Sequence, residues 1–76
     1  MQTVIEYILK NALPEGTDFS VVESQDEMGK VFTLNIPDDL RGQIIGKGGR
    51  NIKAIRDVVS IIARRNGERV YLKIAD

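Results

Sequence analysis

The chain has 76 residues, 42% of them hydrophobic and 29% charged, with neither cysteine nor histidine; this is room for one small globular domain and excludes disulfide staples, thiolate metal sites and imidazole chemistry. No apolar run approaches the roughly 18 residues of a membrane span and the N-terminus lacks a basic-then-apolar signal pattern, so a cytoplasmic protein is expected. The formal net charge is zero, yet residues 1–39 hold two cations against eight carboxylates and residues 40–76 hold nine against three, a polarity that points to an anionic partner met from one side.

Residues 3–13 predict a helix. At about 100° per residue, Val4, Ile5, Ile8, Leu9 and Ala12 share one arc, while Glu6, Tyr7 and Lys10 lie outside it. Thr3 with Glu6 has the spacing of a capping box, and the proline and glycine of 14–18 end the helix. Phe19 to Ser24 and Val31 to Ile36 predict two strands. In the second, Phe32, Leu34 and Ile36 alternate with Val31, Thr33 and Asn35, the period of a half-buried strand. The polar segment QDEMGK between them reads as a connecting loop.

Pro37-Asp38-Asp39 opens a short helix, its acids at the positive end of the helix dipole and Leu40, Ile44 and Ile45 on its apolar side. A longer helix runs from Arg50 to about Asn66. Ile52, Ile55, Val59 and Ile62 form its apolar stripe, with Lys53, Asp57, Ser60 and Arg64 opposite and Gly67 placed to end it. Arg69 to Ala75 then alternates as a third strand, Val70, Leu72 and Ile74 inward and Tyr71 and Lys73 outward. The order α-β-β-α-α-β implies an α+β two-layer sandwich, a three-stranded sheet covered on one face by three helices.

The chemistry available is narrow. Three serines, Ser20, Ser24 and Ser60, have no imidazole base, and the paired Asp38 and Asp39 read as helix N-terminal acids rather than an acid–base pair, so no enzyme is expected. No acidic spacing suits a calcium loop. Lys47 is followed by glycine, and Arg41 stands six positions before it where a Walker loop requires glycine; position 51 is Asn, which rules out GxGxxG. Gly46-Lys47-Gly48-Gly49 is instead a tight turn between two helices, G-x-x-G in pattern. Glycines at 46 and 49 let a sugar-phosphate strand lie against bare backbone. The N–H groups of the next helix open onto the same space, ringed by Lys47, Arg50 and Lys53.

Ile44-Ile45-Gly46-Lys47-Gly48-Gly49-Arg50-Asn51-Ile52 matches the signature (I/V)-I-G-x-x-G-x-x-I, and in this helix-turn-helix setting the chain resembles the K-homology (KH) family. The order of elements is similar to the family's type II arrangement, and residues 1–76 as a whole resemble the small bacterial proteins built from a single KH domain. The resemblance implies binding of single-stranded RNA, as a post-transcriptional regulator or RNA chaperone; with only Tyr7, Phe19, Phe32 and Tyr71 aromatic, base stacking is poorly supplied and little sequence selectivity is expected, and no cofactor or metal is expected. In KH domains the GxxG loop clamps about four nucleotides by their backbone while the bases enter an apolar groove. Carried over, Gly46, Lys47, Gly48 and Gly49 are the clamp, Arg50 and Lys53 flank it, and Ile44 or Ile45 with Ile52 floors the groove. The family's second wall, a strand with the loop between the first two strands, falls here on SQDEMGK leading into Val31–Ile36, and Asp26 and Glu27 make it acidic. Gly48 is surplus to the signature and adds flexibility.

A different class of function is a protein-interaction module with a vestigial RNA site. Ile61 lies about 130° from the centre of the long helix's apolar stripe. With Val58 it offers a contact for a homodimer, or for a heterodimer with another KH-containing protein, and the resemblance implies such pairing.

Overall fold

The structure is a computed structural model that describes residues 1–75. Its elements are α1 (Gln2–Ala12), β1 (Ser20–Asp26), β2 (Gly29–Asn35), α2 (Asp38–Ile45), a short 3-10 turn (Lys47–Gly49), α3 (Arg50–Arg65) and β3 (Val70–Ile74). This is the α-β-β-α-α-β order expected from the sequence, an α+β fold with a mixed sheet. Strand order is β1-β2-β3. β1 and β2 form an antiparallel hairpin, and β3 lies parallel to β2, because the helical connection through α2 and α3 returns the chain to the starting end of the sheet.

The register sorts the two faces. Val21, Leu34 and Ile74 stand in one row and Phe32 and Leu72 in the next. These rows meet Ile5 and Leu9 of α1, Ile44 of α2, and Ile52 and Val59 of α3 to make the core. The opposite face carries Val22, Thr33 and Lys73, then Val31 and Tyr71.

Local chemistry adjusts the predicted boundaries. α1 starts one residue early, with Met1 rather than Thr3 at the N-cap and no side-chain cap; Thr3 lies inside the first turn, so the capping box does not form. Ala12, expected on the buried arc, is exposed. The predicted six-residue loop is mostly strand, pared to a two-residue turn at Glu27 and Met28. Asp26 explains the difference: its Oδ1 accepts from the N–H groups of Met28 (2.8 Å) and Gly29 (3.1 Å), and this side-chain turn lets backbone pairing continue to the tip. Polar side chains on an edge strand do not oppose such pairing, since β1 buries only Val21.

α3 ends as predicted. Gly67 adopts φ 69°, the N–H of Glu68 donates to Ala63 C=O at 2.8 Å, and that of Gly67 to Arg64 C=O at 3.1 Å. This is the Schellman pattern of a glycine-terminated helix. It delivers the chain to β3 beside the hairpin, where the N–H of Lys30 donates to Arg69 C=O at 3.0 Å and Lys30 Nζ lies 3.6 Å from Glu68 Oε1. The backbone crosses so tightly that a Cβ on Gly29 would sit 2.6 Å from Arg69 O.

Candidate nucleic-acid interface

The glycine turn is built by three residues that all need positive φ. Gly46 has φ 77° and ψ 172°, a region essentially reserved for glycine. Gly48 (φ 66°, ψ 18°) and Gly49 (φ 79°, ψ 15°) are both left-handed. Gly48, surplus to the sequence signature, is therefore one of two consecutive left-handed residues that swing the chain from α2 into α3. The turn closes on itself: the Gly46 N–H donates to Gly42 C=O at 2.8 Å and the Gly49 N–H to Gly46 C=O at 3.1 Å.

Asn51 had not been singled out by sequence reasoning. Its Nδ2 donates to Gln43 C=O at 2.9 Å, tying the first turn of α3 to the last turn of α2. A Cβ on Gly46 would stand 2.7 Å from the Asn51 Cγ, so glycine at 46 is also what gives Asn51 room to make this bond. Around Gly48 and Gly49 the space is open, with nothing within 4 Å of an added Cβ. One side of the turn is thus locked and the other presented to solvent.

Charge gathers on the open side. Lys47, Arg50 and Lys53 are exposed, and neither ion pair among the described residues, Lys30–Glu68 and Arg41–Asp38, involves them. α3 begins with no side-chain cap and no acid in its first turn, leaving its positive end without a carboxylate. The isoleucines of the signature divide by burial. Ile44 and Ile52 belong to the core, whereas Ile45 is half-buried at the end of α2.

Beyond the turn, α3 packs against β3. β2 is paired on both sides, and the hairpin tip meets the chain at Arg69, past the C-terminal end of α3. SQDEMGK and Val31–Ile36, expected as a second wall, lie in the hairpin and the central strand, while the strand against α3 is β3, whose outer edge has no strand partner among the described residues. Two adjoining depressions of about 300 and 310 Å³ follow that edge and share Ser60, Val70 and Tyr71. Arg56 borders the nearer one, and Arg64 and Arg69 the farther. Arg56 and Ser60 stand about 9 and 15 Å along the helix axis from Arg50. Arg56 was missed in the sequence, although its helical phase beside Lys53 and Ser60 was enough to find it.

Val58 and Ile61 are exposed, at 47% and 54%. At 100° per residue they lie on one flank of the α3 apolar stripe, and Lys53, Arg56, Ser60 and Arg64 on the other. The basic groove and this apolar pair are separate surfaces. Among the described residues there is no cluster of three metal-binding side chains, no buried polar or charged side chain, and no helix long and apolar enough to cross a membrane.

Comparison with known proteins finds relatives along the whole chain. A family model described as the KH domain of KhpA/KhpB matches residues 2–74. The chain is 36% identical to the RNA-binding protein KhpA of Chlamydia pneumoniae over 76 residues, all of this chain and 97% of that protein. It is 36% identical to the RNA-binding protein KhpA of Halalkalibacterium halodurans, covering both chains in full. It is 29% identical to that of Aquifex aeolicus, over 100% of this chain and 96% of the other. No solved structure matches.

Proposed function

This chain belongs to the KhpA/KhpB KH-domain family, and from that membership we propose that it binds single-stranded RNA, holding the sugar-phosphate backbone against the Gly46–Gly49 turn. The observation that carries the reading is the turn itself. Two open left-handed glycines adjoin an uncapped helix N-terminus, with the exposed cations Lys47, Arg50 and Lys53 around it. Backbone phosphates fit such a place because N–H groups, helix dipole and side-chain charge all favour an anion there. The relatives described above are RNA-binding proteins, which supports the same reading. Ile45 supplies apolar surface beside the clamp, and Ile44 and Ile52 anchor it to the core. With few aromatics and a backbone clamp, one copy binds with little base selectivity, as suits an RNA chaperone or post-transcriptional regulator working in the cytoplasm.

The test is the salt dependence of binding to a single-stranded RNA 12-mer. Three cations on phosphates give a slope of about −2 in log K against log salt, at roughly −0.7 per contact for single strands. Affinity should then fall about twentyfold between 50 and 200 mM salt. A flat titration, or no binding at low salt, would overturn the assignment.

The exposure of Val58 and Ile61 favours a second activity on the other flank of α3, pairing with a second copy or with another KH-containing protein. Because that flank carries none of the groove cations, pairing would leave the RNA surface free. Sedimentation at micromolar concentration is expected to show a dimer for the parent and a monomer for Ile61→Asp, which puts a charge at the contact. A parent that sediments as a monomer removes the self-pairing reading.

A further inference from the structure

Tyr71 is a large aromatic left in solvent on the edge strand of the sheet, in a row of the face turned away from the helices. It lies on β3 between the half-buried Val70 and the buried Leu72 and is 43% exposed. It borders both depressions along the outer edge of β3, whose linings also include Arg56, Arg64, Glu68 and Arg69. Lys73 follows on the same sheet face as Tyr71. An exposed ring set among cations along a groove is the arrangement by which proteins hold single strands, phosphates on the charges and a base on the ring. Tyr7 provides the contrast within the molecule. It is 70% exposed but lies on α1 in the acidic half of the chain, in a depression whose lining holds one cation, Lys10, and one acid, Glu15.

We propose that Tyr71 forms a base-stacking subsite at the outer edge of β3, so that RNA held at the glycine turn continues along α3 and lays a base against this ring. This inference rests on the RNA-binding reading above and adds to it a contact that the sequence signature does not contain. Base selectivity at the subsite is low, because every base has a face to stack. The competing explanation for Tyr71 is sheet stability: it stands opposite Val31, and aromatic–β-branched pairs support strands.

The two explanations separate with Tyr71→Val, which keeps a strong strand former but removes the ring. Binding of a single-stranded RNA 12-mer is expected to weaken about 5- to 150-fold, the range for one lost base–aromatic stack. Binding of heparin, a polyanion without bases, should stay unchanged, as should the far-UV circular dichroism. A second measurement leaves position 71 intact. In Tyr7→Phe, Tyr71 is the sole tyrosine in a chain without tryptophan, and its fluorescence should be quenched as RNA saturates the protein. The inference is overturned if Tyr71→Val binds RNA like the parent while charge reversal in the glycine turn abolishes binding, or if the lone Tyr71 shows no quenching at saturation. If the parent itself fails to bind RNA, the function proposed above falls and this subsite with it.

Discussion

Lys47→Asp combined with Gly48→Asp is expected to abolish binding of single-stranded RNA while leaving the protein folded. The turn has room for the change: Lys47 is exposed, and a Cβ on Gly48 meets nothing within 4 Å. Gly48 sits at φ 66° and ψ 18°, a left-handed conformation that aspartate tolerates better than most residues, at a cost of about 1 kcal/mol. Formal charge at the two positions moves from +1 to −2 directly in front of the α3 N-terminus. Phosphates would meet repulsion where the parent offers a cation and an uncapped helix end. Fluorescence anisotropy with a labelled 12-mer should show at least a hundredfold loss, and thermal unfolding should move by only a few degrees. Binding within twofold of the parent would show that the strand does not lie against this turn.

How much of this was legible in the sequence depended on which force set each feature. Where burial set it, periodicity sufficed. Phe32 and Leu34 of β2 and Ile52 and Val59 of α3 fall in the core as their spacing implied. Gly67 ends α3 because a left-handed residue there frees the backbone to cap itself. Where tertiary arrangement set the feature, the sequence was silent. Nothing local tells that β2 ends up paired on both sides, with β3 against α3. The hairpin was read as a long loop because its residues are polar, although an edge strand needs only its backbone to pair. Asn51 carried no signal, since its role exists only once α2 and α3 have been brought together by the turn it stabilises.

The division between site and scaffold also predicts how the two phenylalanines differ. Phe32 lies at the centre of β2, opposite Leu72 of β3, and is fully buried; Phe19 precedes β1 and is only partly buried against the core. A domain of this size has a total stability of about 4–11 kcal/mol at typical values per residue. Truncating a core phenylalanine costs about 3–5 kcal/mol, because the transfer energy of the ring is lost and the cavity closes only in part. Phe32→Ala should therefore remove between about a quarter and all of the stability, whereas Phe19→Ala should cost under about 2 kcal/mol, its ring being only partly withdrawn from water. Urea unfolding followed by circular dichroism would measure both. Equal losses for the two variants, or a Phe32→Ala loss below about 1 kcal/mol, would contradict this account of the core. In RNA binding the expected order reverses its cause. Phe32→Ala loses affinity only in proportion to the fraction unfolded and should recover it when an osmolyte restores folding. The aspartate pair in the turn should stay inactive however stable the protein is made, because there the obstacle is charge in front of α3 and not the loss of the sheet behind it.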